Sequence, residues 1–209
     1  MANQYFENDP ELDHQRETFD FTLLGQSLQL TTDRGVFSRA RVDYGTVALL
    51  TSSAELLQTL AQTHPNFTCL DLGCGYGPVG ISIAKAYPQA QVTMVDVNQR
   101  ALALAEENAQ ANQVSAQVQI KASQGYSALT DQRFDLILTN PPVRAGKKVV
   151  SEFLALGQEH LQPTGQLLAV LQKKQGAPSA LKLLQQKYPV AQVRHRDKGY
   201  YILQAQNQD

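Results

Sequence analysis

The segment Asn140-Pro141-Pro142 has the residue types and spacing most suggestive of chemistry in this 209-residue sequence. It follows an apolar run, residues 134–139, that is typical of a buried strand. Proline fixes its own φ and disfavours the helical region for the residue before it, so Asn140 should be extended. The side-chain oxygen of Asn140 and the carbonyl of Pro141 can then point the same way, as two hydrogen-bond acceptors. The other interpretation is a rigid proline turn without a chemical role.

Two adjacent acceptors suit a reaction at a planar, amide-like nitrogen. An exocyclic amine conjugated to an aromatic ring is a poor nucleophile because its lone pair lies in the π system. Acceptors that hold its two hydrogens favour a pyramidal nitrogen whose lone pair can face a methyl sulfonium, and orientation then supplies most of the rate. The segment therefore predicts methyl transfer, with Asn140 and Pro141 as the catalytic residues.

A glycine-rich loop, residues 71–80, lies between a predicted strand and a predicted helix. Its glycines, Gly73, Gly75 and Gly77, permit positive φ and the close approach of a ligand to the backbone. The amides at the start of the helix offer donors to an electronegative group. Asp96 follows the next predicted strand about twenty residues later, where a carboxylate can bind ribose hydroxyls. The loop therefore predicts a nucleoside cofactor.

The glycine pattern alone leaves a nicotinamide dinucleotide, S-adenosylmethionine and a purely structural turn all open. Asp71 favours S-adenosylmethionine, because a carboxylate just before the first glycine can accept a hydrogen bond from the ammonium group of the methionine moiety. The same carboxylate would be a poor neighbour for a pyrophosphate. We therefore expect S-adenosylmethionine, with Asp71 among its contacts.

Strand and helix patterns alternate from residue 66 onward, which predicts crossover connections and a parallel central sheet. The final two strand patterns are too close for a crossover helix, so one strand should be antiparallel to its neighbours. Two alternating runs with a glycine between them predict a β-hairpin near the N-terminus. The predicted strands are 18–23, 27–31, 67–72, 91–97, 114–121, 134–139, 165–171, 190–194 and 200–204, and the predicted helices are 47–63, 79–87, 101–112, 149–161 and 179–187.

Composition limits the class of protein and of partner. Apolar residues make up 43% and charged residues 18%, which is typical of a globular domain, and the net charge of −1 means that any nucleic-acid contact needs a local basic patch.

Cys69 and Cys74 form neither a disulfide framework nor a zinc site, and the four histidines lack ligand spacing, so no metal is expected. Residues 1–10 show no signal peptide and no run could span a bilayer. We expect a cytoplasmic protein without a membrane contact.

The glycine loop, Asp96 and Asn140-Pro141-Pro142, in this order, resemble class I S-adenosylmethionine-dependent methyltransferases of the Asn-Pro-Pro type. Three further segments, at 35–38, 42–46 and 173–179, extend the resemblance to the small-domain branch, which includes RsmC-like guanine N2-methyltransferases of small-subunit ribosomal RNA.

The resemblance covers roughly residues 15–205 and implies a Rossmann-like α/β fold. Its seven-stranded, mostly parallel sheet has one antiparallel strand and an N-terminal β-hairpin extension. We expect an extension over residues 1–46 and a methyltransferase domain over 47–209.

The resemblance also implies a set of site residues. The expected cofactor contacts are Asp71, Gly73, Gly75, Gly77, Asp96, Val97, Gln124 and Asn140. The expected substrate contacts are Pro142, Val143, Phe37, Arg144, Lys147, Lys173 and Lys174. From their places in the chain, Arg144, Lys147 and Lys148, with Lys173 and Lys174, are predicted to touch phosphates; the alternative is an ordinary solvated charged surface.

Two positions depart from the pattern of the family. Val143 stands where many Asn-Pro-Pro enzymes have an aromatic residue that stacks on the target base, so stacking would need Phe37, Tyr44 or Tyr126. Gln124 replaces an acid that often binds the adenine amine, although a side-chain amide can accept the same hydrogen bond.

The first functional hypothesis is methylation of the exocyclic N2 of a guanine, by a monomer acting on ribosomal RNA or an assembling small subunit. The alternatives are N5-methylation of a protein glutamine, methylation of an adenine or a small molecule, and a non-catalytic, ribosome-associated module that binds S-adenosylmethionine. The intact Asn140-Pro141-Pro142 segment argues against the last.

Overall fold

The computed structural model describes residues 13–39 and 41–208, so the expectation about residues 1–10 lies outside the described residues. The strands are β1 (Glu17–Leu23), β2 (Gln26–Thr32), β3 (Thr68–Leu72), β4 (Gln91–Asp96), β5 (Val118–Ala122), β6 (Phe134–Thr139), β7 (Leu161–Gln172), β8 (Val190–Asp197) and β9 (Tyr200–Gln206). The helices are α1 (Tyr44–Thr63), α2 (Pro78–Ala86), α3 (Gln99–Ala111), α4 (Lys147–Ala155) and α5 (Ala177–Lys187).

Strands β3 to β9 form one sheet in the order β5-β4-β3-β6-β7-β9-β8. Strands β3 to β7 pair in parallel, whereas β9 runs antiparallel to both β7 and β8. The predicted fold class is confirmed, hairpin included. The chain moves outward from β3 to β5 and then returns to the other side of β3, so its direction reverses between β3 and β6. A crevice opens at the carboxyl ends of strands at such a point.

Helices cover both faces of the sheet and bury two hydrophobic cores. In β6, Leu136 and Leu138 belong to one core and Ile137 to the other, as the alternation of side chains along a strand requires. Helices α1, α2 and α3 pack with the first core, and α4 and α5 with the second. Both faces of the central strands are therefore apolar, which is why their sequences are continuous hydrophobic runs. None of the helices among the described residues has the length and apolar character needed to cross a bilayer.

The β1–β2 hairpin shares the first core, where Leu30 is fully buried. Its strand β2 is held by two asparagines four positions apart, Asn108 on α3 and Asn112, which caps the end of that helix. Asn108 accepts from the Thr31 amide at 2.7 Å and donates to the Thr31 carbonyl at 2.9 Å. Asn112 does the same for Gln29, at 3.1 and 2.7 Å. These side chains take the place of a neighbouring strand, so the hairpin is fixed rigidly against the domain.

Several element boundaries differ from the sequence prediction; for example, β7 begins at Leu161 and not at residue 165, and β8 ends at Asp197 and not at residue 194. Helix α1 begins three residues before the predicted position because Asp43 caps it. The predicted helix 149–161 ends at Ala155, and a 3₁₀ turn follows. In that turn a Cβ on Gly157 would lie 2.5 Å from Leu167 and 2.8 Å from the Tyr126 hydroxyl, so the chain passes too close to the sheet for a continuing helix. Strand β5 begins at Val118 because the preceding residues form a turn after α3.

Replacement of Asn108 by alanine should destabilise the fold. Asn108 is fully buried and also donates to the Tyr76 carbonyl at 2.9 Å, so the change leaves several buried backbone groups unpaired. We expect the free energy of unfolding to fall by about 3 kcal/mol in urea titrations. Gln110→Ala, at an exposed position of the same helix, is the control and should be neutral. Equal stability of the two variants would contradict this role of Asn108.

Candidate active site

A cavity of about 450 Å³ lies at the carboxyl ends of β3, β4, β6 and β7. Its floor is the glycine loop between β3 and α2, and its rim is formed by residues after β6 and by the loop before α1. The volume lies within the range of about 300–1,000 Å³ that is usual for small-molecule and cofactor sites. The order reversal of the sheet thus produces a ligand-sized pocket.

The glycine loop is fixed to strand β4 and open toward the cavity. The amides of Gly73 and Cys74 both donate to the Val95 carbonyl at 2.9 Å. Gly73 and Gly75 have φ of +76° and +57°, a region that side chains rarely adopt. No atom lies within 4 Å of the position that a Cβ on Gly75 would take. A ligand can therefore approach the backbone closely there.

Gly77 packs inside the loop. It does not line the cavity, although its neighbours Tyr76 and Pro78 do. A Cβ on Gly77 would lie 2.6 Å from Met94 and 2.8 Å from Ile81. The left-handed φ of +93° and this close packing of the loop against β4 and α2 both favour glycine, and contact of Gly77 with the cofactor stays a prediction.

Two carboxylates line the cavity. Asp96 accepts hydrogen bonds from the Gly75 amide at 2.8 Å and from the Asn98 amide at 2.9 Å, and burial raises its pKa. Asp71 is 2% exposed and accepts from the Gly80 amide at 2.9 Å. Burial raises the pKa of Asp71 to about 7, against the lowering effect of that hydrogen bond. Each carboxylate oxygen has a second lone pair, so both groups can still accept from a ligand.

Asn140 is held by its side-chain nitrogen. This atom donates to the Asp43 carboxylate and to the Thr46 hydroxyl, both at 3.1 Å. Neither the Asn140 side-chain oxygen nor the Pro141 carbonyl accepts a hydrogen bond from any described residue. Both residues line the cavity. The two acceptors expected from the sequence are therefore present and available to a ligand.

The cavity wall includes most, but not all, of the predicted site residues. Those in the wall, besides the residues described above, are Val97, Gln124, Pro142, Val143, Phe37 and Arg144. Lys147, Lys173 and Lys174 are exposed and outside the wall, on the short segments that follow β6 and β7.

Of the three candidate stacking rings, only Phe37 lines the cavity, where it is 39% exposed. Tyr126 is buried and its hydroxyl donates to the Phe153 carbonyl, so it is unsuited to stacking. Tyr44 lies outside the wall, with its hydroxyl bonded to Asp197 and the Lys198 ammonium 4.4 Å above its ring.

Several wall residues were missed by sequence reasoning. Asp43 and Thr46 contact Asn140, and Tyr200, at the start of β9, lines the cavity beside the end of β7. An aspartate just before a helical pattern is a recognised N-cap signal, which could have identified Asp43. The site of Tyr200 depends on strand order alone and has no local signal. No cluster of His, Cys, Asp and Glu suited to a metal ion occurs in residues 13–39 and 41–208.

A family model described as "methyltransferase small domain" matches residues 27–204. The chain belongs to this family. A relative from Bacillus subtilis, "Uncharacterized protein YbxB", is 40% identical over 98% of both chains. Ribosomal RNA small subunit methyltransferase C of Hahella chejuensis is 38% identical over 148 residues, which is 69% of this chain and 40% of that enzyme.

Solved structures agree with this assignment. The Thermus thermophilus 16S rRNA N2 G1207 methyltransferase RsmC, in complex with AdoMet and guanosine, matches with a TM-score of 0.80 and 26% identity. The match covers 95% of this chain and 52% of that one. The ribosomal protein L11 methylase of Lactobacillus delbrueckii, at 22% identity and a TM-score of 0.60, shares the fold.

This family member is therefore a methyltransferase that uses S-adenosylmethionine, and it spans about half the length of the RsmC chains that it matches. The size of the cavity, the open backbone at Gly75 and the pair of buried carboxylates fit such a ligand.

Binding of S-adenosylmethionine should tighten as the pH rises toward 7. Asp71 is protonated below its raised pKa of about 7, and a protonated carboxyl must lose its proton before it can pair with an ammonium group. Between pH 5.5 and 7 we expect the affinity in isothermal titration calorimetry to rise by up to about tenfold per pH unit. Asp71→Asn should flatten this dependence. A wild-type affinity independent of pH would contradict it.

Proposed function

We propose that this protein methylates the exocyclic N2 of a guanine in small-subunit ribosomal RNA. The observation that carries the proposal is the pair of unpartnered acceptors, the Asn140 side-chain oxygen and the Pro141 carbonyl, in a cavity beside the glycine loop. The similarity to RsmC enzymes supports ribosomal RNA as the substrate.

The glycine loop and its two carboxylates hold the cofactor. Gly73 and Gly75 let its methionine moiety approach the backbone, and Asp71 pairs with its ammonium group. Asp96 accepts hydrogen bonds from the ribose hydroxyls. Val97 would pack beside the adenine and Gln124 would bond its amine, since both line the cavity and the Ser123 amide donates to the Asp96 carbonyl at 2.9 Å, which brings Gln124 near Asp96.

Asn140 and Pro141 then orient the target amine. When bound, S-adenosylmethionine supplies a methyl group on a positively charged sulfur, which leaves as a neutral thioether. The two acceptors take the two N–H donors of the amine, which favours a pyramidal nitrogen with its lone pair toward that methyl group. The proton released after transfer goes to water, so no general base is required. Positioning provides most of the rate.

The base itself is held by Phe37 and the residues after Asn140. Phe37 is exposed at the cavity rim and stacks on the base, in place of the aromatic residue that Val143 replaces. Val143 and Pro142 add a small apolar surface to the same cavity wall. A guanine presented in a loop or bulge suits this arrangement, because an unpaired base enters a pocket at less cost than a paired one.

Four basic residues around the mouth bind the phosphate backbone. Arg144 lies in the wall, and Lys147, Lys173 and Lys174 are exposed beside it. These residues come from the segments after β6 and β7, which end at the same edge of the sheet. A local basic rim of this kind is what a chain of net charge −1 needs to bind RNA.

Asn140→Ala should slow methyl transfer far more than it weakens cofactor binding, because most of the proposed cofactor contacts are made by other residues. The assay supplies tritiated S-adenosylmethionine with small ribosomal subunits, naked ribosomal RNA and total protein, all from cells that lack this protein. We expect label in RNA with the wild-type protein, and a rate at least about a hundredfold lower with the variant. Gln110→Ala is the control. Label in protein alone would replace this function by glutamine methylation, and full activity of Asn140→Ala would refute the mechanism.

Loss of the two lysines after β7 should weaken RNA binding and its dependence on salt. The variant Lys173→Ala/Lys174→Ala should reduce the magnitude of the negative slope of log K against log salt by about 1.4, since each phosphate contact on a single strand contributes about 0.7. The control is Lys182→Ala/Lys187→Ala, on helix α5, which runs away from that edge of the sheet. Equal slopes for the two variants would place the RNA elsewhere.

A further inference from the structure

We infer that Asp43 is a positioning residue for methyl transfer. Its carboxylate determines which end of the Asn140 amide faces the target amine. The inference rests on the proposed use of the Asn140 oxygen as an acceptor. Asp43 is half-buried at the N-terminus of α1, 97 positions before Asn140 in the chain. Asp43 lies outside both the Asn-Pro-Pro segment and the glycine loop.

One oxygen of Asp43 joins two elements. Its Oδ2 accepts from the Gly45 amide at 2.9 Å, as the cap of helix α1, and from the Asn140 Nδ2 at 3.1 Å. The Thr46 hydroxyl accepts a second hydrogen bond from the same Asn140 nitrogen, also at 3.1 Å. The start of α1 therefore holds the end of β6.

The chemistry of a carboxylate decides the orientation. An ionised carboxylate has only acceptors, so it can pair with the NH₂ end of an amide and not with its oxygen. Because Asn140 meets Asp43 with its nitrogen, its oxygen must point the other way. An asparagine amide has nearly the same shape after a half-turn, so packing alone would not select this orientation.

Without Asp43 the side-chain amide of Asn140 could rotate by a half-turn, which exchanges its oxygen and its nitrogen. Its two N–H donors would then meet the N–H donors of the target amine, and only the Pro141 carbonyl would remain as an acceptor. The bound nucleoside would lose orientation, whereas the glycine loop and Asp96, which hold the cofactor, would be unaffected. The loss should therefore appear in the rate of methyl transfer and not in the affinity for S-adenosylmethionine.

The surroundings keep the Asp43 carboxylate in place. A Cβ on Gly45 would lie 2.7 Å from Asp43 Oδ2 and 3.0 Å from the Tyr200 ring, so only glycine leaves room for this arrangement. The Tyr200 ring in turn packs on Tyr44, with centroids 5.5 Å apart. Gly45 has no positive φ, so its requirement here is one of space.

Serine at position 43 separates the two roles of Asp43. Serine caps helices about as well as aspartate, but its side chain is shorter and carries no charge to hold the Asn140 nitrogen. We therefore compare Asp43→Ser with Asp43→Ala, which loses the cap as well, and with Thr46→Val, which loses only the weaker second acceptor. Asp20→Ser, at an exposed position of β1, makes the same chemical change away from the site.

The test uses single turnover with tritiated S-adenosylmethionine and small ribosomal subunits from cells that lack this protein. We expect Asp43→Ser to keep the melting temperature within about 3 °C and to keep the Kd for S-adenosylmethionine. Its transfer rate should fall by about tenfold to a hundredfold, and that of Thr46→Val by less. An independent readout is proton exchange of the Asn140 side-chain amide by NMR, which should be slow in the wild type and fast in Asp43→Ser.

Two results would overturn the inference. One is a wild-type transfer rate in Asp43→Ser, and the other is a loss of rate matched by equal losses of melting temperature and cofactor affinity, which would mark Asp43 as structural only. The absence of RNA methylation by the wild-type protein is a different outcome, since it refutes the proposed substrate. The NMR readout still decides the orientation of Asn140 in that case.

Discussion

The site depends on one constraint, which is that the Asn140 amide has its nitrogen bound and its oxygen unpartnered. The nitrogen is taken by Asp43 and Thr46 at the start of α1. The oxygen therefore remains as an acceptor beside the glycine loop, together with the Pro141 carbonyl. Methyl transfer to a weakly nucleophilic amine needs this polarity more than it needs an acid or a base. The rest of the fold brings the glycine loop, the end of β6 and the start of α1 to one edge of the sheet, where Asn140 can be held in this orientation.

The topology of the sheet explains how these segments meet. Strand β3 has β4 on one side and β6 on the other, so the glycine loop, Asp96 and Asn140 all follow carboxyl ends of adjacent strands. Thr139, the last residue of β6, donates to the Leu72 carbonyl at 2.8 Å and ties the two strand ends together. The antiparallel β9 then brings Tyr200 to the same edge. The residues proposed to contact cofactor and substrate thus lie largely at the ends of adjacent strands and in the segments that follow them.

The sequence predicted those structural features that depend on residues close together in the chain. The alternation of strands and helices and the positive φ values in the glycine loop both correspond to features of the structure, because each depends on neighbouring residues. What the sequence did not predict depends on distant contacts. The role of Gly77 is set by Met94 on β4, and the orientation of Asn140 by a residue nearly one hundred positions earlier. The exclusion of Tyr126 from the cavity follows from burial against α4.

A crystal structure of this protein with S-adenosylmethionine and guanosine would test the central claim most directly. The claim predicts the cofactor over Gly73 and Gly75, and the guanosine N2 within hydrogen-bond distance, about 3 Å, of the Asn140 side-chain oxygen and the Pro141 carbonyl. The Asn140 nitrogen should still contact Asp43. A cofactor bound elsewhere, or an Asn140 nitrogen turned toward the guanosine, would contradict it.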